Sequence, residues 1–272
     1  MNTKDIQKNI QPDWWKSEGG FFGKKYMEAD HSYEGFLDSP QDMPHRIEEE
    51  VEGVVRLCGL GSGSRILDCP SGYGRHSIGL AQNDHFVTGV DVNREHLGIA
   101  EKARNTLGLG NCEFRESDMR KLDFKEEFDA LINMFYSFGF FEDEQDDELS
   151  VRNFYNALVP GGKFLMHTFI TLPKIKAGHY KKHDVRTLVS GDKLELFREY
   201  VPETKREVGL WSILRQDGTR EELAPYSMRI YTAEEFSDLC RRGGFKKVTA
   251  YGDWNGTPYK DKSELLIVVA EK

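Results

Sequence analysis

A chain of 272 residues is long enough for one substantial core, or for a core carrying a smaller appendage. Its 38% hydrophobic and 31% charged residues fit a globular protein, and the longest apolar run, Leu265 to Ala270, is too short to cross a bilayer. The net charge of −9 opposes nucleic-acid binding unless a local basic patch overrides it.

In chain order, the opening MNTKDIQKNIQPDWW carries no apolar export segment. The four cysteines (Cys58, Cys69, Cys112, Cys240) lack CxxC spacing, which points to reduced thiols in the cytoplasm rather than disulfides or zinc. Apolar residues at Ile47, Val51, Val54, Val55 and Cys58 have helical spacing, broken by Gly59 to Ser64. Arg65 to Asp68 reads as a buried strand and Arg75 to Gln82 as the helix after it. Phe86 to Asp91 is a second strand, Arg94 to Leu107 a helix, Asn111 to Arg115 a third strand and Phe128 to Asn133 a fourth. The acidic run Glu142 to Glu148 precedes a helix over Leu149 to Leu158, where acids favour the positive end of the helix dipole. Pro160-Gly161-Gly162 stops that helix, and Lys163 to Phe169 is the fifth strand. This alternation predicts a parallel sheet covered on both faces.

Beyond Pro173 no good helix is visible until about Tyr231. Lys193 to Val201, Glu207 to Arg215 and Tyr226 to Tyr231 alternate instead, separated by turn signals, and predict a small antiparallel sheet. Thr232 with Glu235 three residues on is a capping box that opens a helix ending at Gly243-Gly244. Strands at Lys246 to Trp254 and Glu264 to Glu271 close the chain. These boundaries give an N-terminal lid over 1–44, a core over 45–172, an antiparallel cap over 173–230 and the rest of the core over 231–272.

The informative segment is ILDCPSGYGRHS, Ile66 to Ser77. A strand delivers Asp68, and Gly72 and Gly74 form a tight turn in which backbone can approach a ligand closely. Asp91 ends the second strand, where an acid can accept both hydroxyls of a ribose. Asp118 and Met119 follow the third strand, offering an acceptor for an adenine amino group beside an apolar contact. Asn133 stands at the tip of the fourth strand, on the carboxyl edge where open α/β sheets bind ligands. A dinucleotide enzyme is disfavoured, because Arg75-His76-Ser77 follows Gly74 with no third Gly or Ala.

With these residues the chain resembles the class I S-adenosylmethionine-dependent methyltransferases, and bacterial small-molecule N-methyltransferases among them. FDALINMFYSFGFF, NALVPGGKFLMHTF and RIYTAEEFSDLCRRGGFKKVTAYGDW are similar to that family's later landmarks. The resemblance spans roughly residues 45 to 172 and 226 to 272. It implies an α/β fold: a Rossmann-like seven-stranded sheet, mostly parallel with an antiparallel last strand, plus the β insert. It further implies that Asp68, Gly72 and Gly74 line the methionine part of S-adenosyl-L-methionine, Asp91 and Val92 its ribose, Asp118 and Met119 its adenine, and Asn133 its amino-acid end. Pro70 departs from the family, which has glycine there. Lacking a backbone N–H, it implies that the methionine end is held differently.

Methyl transfer chiefly requires nucleophile and methyl group to be held near attack distance. Candidate acceptor-side groups are Tyr136, Ser137 and His167 at the sheet edge, Tyr226 and Arg229 from the insert, and the N-terminal aromatics Trp14, Trp15, Phe21, Phe22, Tyr26 and Tyr33 as a lid. His167, Tyr136 and Tyr33 are the catalytic candidates. Each has an ordinary packing role as its alternative, and an amine acceptor needs no base once it is neutral. His179 and His183 have i,i+4 spacing, but no third ligand is evident and no metal is expected. The basic run Pro173 to His183 reads as a solvated loop, with an anionic-substrate contact or an RNA patch as its alternatives. A small-molecule acceptor is preferred to a nucleic acid, since Asn133-Met134-Phe135-Tyr136 lacks the paired prolines of base-modifying enzymes. Transfer to a hydroxyl or to RNA, and a non-catalytic cofactor-binding partner, remain the alternatives.

Overall fold

The computed structural model describes residues 3–16, 18–30, 42–135 and 137–272. Tyr33 and Tyr136, two of the catalytic candidates, lie outside the described residues.

Seven strands form one sheet: Arg65–Asp68 (β1), Phe86–Asp91 (β2), Cys112–Glu116 (β3), Phe128–Asn133 (β4), Leu158–Thr168 (β5), Lys247–Tyr251 (β11) and Leu266–Glu271 (β12). Their spatial order is β11-β12-β5-β4-β1-β2-β3. The five strands from β3 to β5 run parallel, while β12 pairs antiparallel with both β5 and β11. The order reverses between β1 and β4, so the tips of β1, β2 and β4 frame the crevice where such sheets bind ligands.

Burial on both faces explains the near-continuous apolar strands. Ile66, Ala130, Leu165 and Ile267 pack with Val51 and Val54 on one side. Leu67, Leu131, Phe164 and Val268 pack with Phe154 and Phe236 on the other. The helices contributing these residues are Asp42–Cys58 (α3), Glu144–Ala157 (α6) and Ala233–Gly243 (α8). Asp143 caps α6 through Gln145 N, with Glu144, Asp146 and Asp147 in its first turn. The capping box of α8 is present in full, Thr232 Oγ1 accepting from Glu235 N and Glu235 accepting from Thr232 N.

Two local expectations need correction. Leu158 belongs to β5 rather than to the preceding helix, because its register with Phe128 starts the β4–β5 ladder before the Pro160-Gly161-Gly162 irregularity. The stretch after Pro173 also carries a short helix, Leu172–Lys176 (α7), with proline at its start where no N–H is needed.

A second sheet follows, built from His183–Thr187 (β6), Lys193–Val201 (β7), Arg206–Leu214 (β8), Arg220–Glu222 (β9) and Tyr226–Arg229 (β10). Its order is β10-β8-β7-β6, with β9 on β8, all antiparallel. His183 lies on a strand and His179 in the irregular stretch before it, so their helical pairing does not arise. The N-terminal segment holds two short helices, Thr3–Asn9 (α1) and Lys24–Ala29 (α2). Trp14, Trp15 and Phe21 are buried in one cluster with Leu194, Leu196 and Ile213 of the second sheet. This cluster fixes the insert and the N-terminal segment over the sheet's carboxyl edge.

Candidate functional site

A cavity of about 500 Å³ opens there, within the range of small-molecule sites. Its floor is the loop between β1 and the helix Arg75–Gln82 (α4). Gly72 takes the left-handed conformation (φ 53°), and a Cβ added to it would project into open space. The neighbouring Ser71 Oγ is buried with no hydrogen-bond partner among the described residues. Gly74 is also left-handed (φ 76°), for a packing reason: an added Cβ would come within 2.6 Å of the Phe114 ring and 2.7 Å of Ala100.

Asp91, at the tip of β2, organises this floor. Its Oδ2 accepts from Gly72 N and its Oδ1 from Asn93 N, each at 2.8 Å. Burial pushes its pKa up to about 6, opposed by these backbone donors. Each carboxylate oxygen has a second lone-pair direction, so both can still accept from a ligand hydroxyl. Asn93 does two further jobs. Its side chain caps the helix Arg94–Leu107 (α5), and its Nδ2 donates to Phe22 O at 2.8 Å, joining the floor to the N-terminal segment.

Of the residues that the resemblance assigned to the cofactor, Pro70, Gly72, Asp91, Val92, Asp118 and Met119 line the cavity. Asp68, Gly74 and Asn133 stand behind its wall. Ser77 Oγ donates to Asp68 at 2.6 Å, and burial raises the Asp68 pKa to about 7 despite that bond. Asn133 Nδ2 donates to Cys69 O at 2.9 Å and to Ser137 O at 3.0 Å, latching the tips of β1 and β4 together. Asp118 caps the turn Met119–Lys121 and pairs with Arg120, which also reaches Asp146 at 2.8 Å. That pairing holds the Asp118 pKa below its usual range in spite of partial burial.

Residues that sequence reasoning did not single out complete the far wall. Phe135 has φ 60°, unusual for a bulky residue, with Arg75 over its ring at 4.1 Å and Arg46 at 4.4 Å. Arg75 Nη1 is buried without an acceptor among the described residues. Arg46 Nε bonds Glu50 Oε1 at 2.9 Å, and His76 Nε2 meets Glu50 Oε2 at 2.8 Å. Burial opposes ionisation of Glu50, yet the His76 hydrogen bond and nearby positive charge lower its pKa to about 2. His96 Nε2, also on the wall, is likewise buried with no partner among the described residues. Its ring lies 4.3 Å from that of Tyr73, and burial lowers its pKa to about 4, leaving it neutral. A positive-φ residue and an arginine after a glycine turn leave no periodic trace, which is why these groups were missed.

His167 sits elsewhere. It is 1% exposed, does not line the cavity, and packs 5.0 Å from Trp254 and 5.4 Å from Phe135. Neither ring nitrogen has a partner among the described residues, and burial pushes its pKa down to about 3. Arg229 is likewise drawn away, to Glu144 at 2.8 Å and Glu235 at 3.4 Å. Tyr226, Phe21, Phe22, Trp14, Trp15 and Tyr26 do line the cavity, and so does Ser137. Tyr26 is stacked on Trp211 at 5.7 Å, and burial and Asp30 raise its pKa well above the usual value. Among the described residues no cluster suits a metal ion, and no helix is long and apolar enough to cross a membrane.

The model of a methyltransferase domain matches residues 66–162. Over 261 residues the chain is 26% identical to a glycine/sarcosine N-methyltransferase of Halorhodospira halochloris, covering 91% of this chain and 92% of that protein. It is 26% identical over 209 residues to phosphoethanolamine N-methyltransferase 3 of Arabidopsis thaliana, covering 73% of this chain and 41% of that protein. Among solved structures, an S-adenosylmethionine-dependent methyltransferase from Clostridium acetobutylicum superposes with a TM-score of 0.72 at 16% identity, covering 91% of this chain and 99% of that one. SAM-bound CalS10, an amino pentose methyltransferase from Micromonospora echinaspora, superposes at 0.63 with 18% identity, covering 88% and 95%.

Proposed function

The chain belongs to the class I S-adenosylmethionine-dependent methyltransferases, and from that premise we propose that it methylates the nitrogen of a small-molecule amine. The observation that carries the reading is the Ser71-Gly72 turn pinned to Asp91 at the floor of an aromatic-walled cavity.

The residues present fit S-adenosyl-L-methionine. Asp91 would hold the ribose hydroxyls, and the open space at Gly72 admits the ligand against backbone. Val92 would lie beside that ribose, and Met119 would pack on the adenine, with Asp118 at its edge. Arg75 Nη1, buried without an acceptor among the described residues and with Arg46 beside it, is a ready donor for the methionine carboxylate. This takes over the part the resemblance gave to Asn133, whose proposed role is to fix the two strand tips. Bound there, the cofactor supplies an electrophilic methyl group on a sulfonium.

The chain's own contribution is position and exclusion of water. Trp14, Phe21 and Phe22 close the cavity from the N-terminal segment, while Trp211 and Tyr226 roof it from the insert. Holding an acceptor within such walls removes the entropy of encounter, an effect worth several kcal/mol. A neutral amine already presents its lone pair, so no side chain need remove a proton in the transition state. His167 is accordingly proposed as a core residue rather than a base. The N-methyltransferases among the relatives favour nitrogen over oxygen as the acceptor atom.

The test is incubation of the purified protein with methyl-labelled cofactor and a panel of small primary and secondary amines beside matched alcohols. Label should appear on an amine. Transfer only to alcohols would overturn the choice of nitrogen.

A further inference from the structure

The roof of the cavity contains a buried acid that cofactor binding leaves unexplained. Glu207 on β8 is 5% exposed and lines the cavity. Its surroundings are built to hold it. Tyr226 O–H donates to Glu207 Oε1 at 3.0 Å, and Tyr226 in turn accepts a hydrogen bond from Trp211, whose indole can only donate. Gly209 makes this relay possible, because any Cβ there would collide with the Tyr226 ring. The relay fixes one carboxylate oxygen from behind. Around it stand rings in mutual contact: Phe21 lies 5.0 Å from Tyr226 and 5.1 Å from Trp211, and Trp14 lies 5.9 Å from Tyr226.

A carboxylate held among aromatic faces suits one kind of ligand. Ring faces attract cations, most strongly when water is excluded, and the acid adds a charge-assisted acceptor. An anion would be repelled, and a neutral apolar group would leave the acid unpaired. Two arginines of the insert also line the cavity, and both are engaged: Arg198 Nε donates to Lys181 O at 3.2 Å with its guanidinium over Tyr180 at 5.0 Å, and Arg186 Nε pairs with Asp184 at 3.3 Å.

We propose that Glu207, oriented by Tyr226 within the Phe21–Trp211–Trp14 rings, is the cation-recognising subsite that selects ammonium-bearing acceptors; where the ammonium is the group to be methylated, it passes its proton to the Glu207 carboxylate first and reacts as the neutral amine. The inference rests on the amine reading of function and narrows it to acceptors that are cationic in solution. Glu207 thereby determines specificity, separately from the cofactor floor.

The probe is tetramethylammonium, permanently charged, with tert-butanol as a neutral counterpart of similar shape. Binding is read from tryptophan fluorescence in alkaline buffer, since Trp14 and Trp211 line the site. Tetramethylammonium should bind saturably and tert-butanol should not. Glu207→Gln keeps an acceptor for Tyr226 and removes the charge, so it should weaken tetramethylammonium by about tenfold or more. S-adenosylhomocysteine affinity should stay at the wild-type level in that variant. If Glu207→Gln does not fold, Tyr226→Phe carries the test through a smaller but measurable loss. Equal tetramethylammonium binding in wild type and variant, or none in either while S-adenosylhomocysteine still binds, overturns the inference and leaves the cofactor assignment standing. Failure of wild type to bind S-adenosylhomocysteine would instead remove the functional reading itself.

Discussion

Asp91→Ala separates the role of the β2 acid from the general shape of the cavity. The wild-type carboxylate is pinned by two N–H donors at 2.8 Å, so it meets a ligand already oriented. A hydrogen bond to a charged group contributes about 1.5–3 kcal/mol, so losing two hydroxyl contacts removes about 3 kcal/mol or more, roughly a hundredfold in affinity. The substitution also frees Gly72 N and loosens the floor, which acts in the same direction. Equilibrium dialysis of labelled S-adenosylmethionine reads the dissociation constant, and circular dichroism confirms that the variant folds. A constant within about threefold of wild type would refute the assignment of the ribose to Asp91. A pH series on wild type gives an independent check. Burial raises the Asp91 pKa to about 6 in the free protein, and hydroxyl donors favour its ionised form. The sign is therefore fixed: affinity should be level above about pH 6 and fall below it, approaching tenfold per pH unit as the acid protonates. Level affinity down to about pH 4, the ordinary carboxylate range, would show that this carboxyl is not in contact with the cofactor.

Other outcomes follow from the same geometry. Gly74→Ala forces a left-handed alanine against Phe114 and Ala100, so it should cost about 2 kcal/mol or more, a Tm fall of at least roughly 4 °C; an unchanged Tm would contradict the packing explanation. His167→Leu fills a similar space without unpaired nitrogens and should leave kcat within about twofold while holding or raising stability. A hundredfold drop in kcat with intact cofactor binding would restore His167 as a catalytic group.

How far the sequence spoke depends on how local each constraint is. The alternation of buried strand and helix, the Gly72 turn and the Thr232–Glu235 box are written in adjacent residues, and all appear in the fold. The tip positions of Asp91, Asp118 and Met119 followed from strand ends, and these residues reach the cavity. Asp68, Gly74 and Asn133 show the limit. Their positions in the motif were legible, but which side of the loop a side chain faces depends on partners elsewhere, such as Ser77, Phe114 and Cys69. The His76–Glu50 pair, 26 residues apart, and the Phe135–Arg75–Arg46 stack are long-range arrangements without periodic signal. The same holds for the roof, where Glu207, Trp211 and Tyr226 meet only because β8 pairs with β10. Short alternating strands reveal a sheet, not which face will close over a ligand.

The proposed adenosyl site is formed by the tips of β1, β2 and β3 beneath an aromatic roof. Calorimetric titration of the wild-type protein with S-adenosylhomocysteine tests it most directly. Saturable heat at one ligand per chain is expected, together with a rise in Tm that grows with ligand concentration. A folded protein that gives no binding heat and no shift in Tm would contradict it.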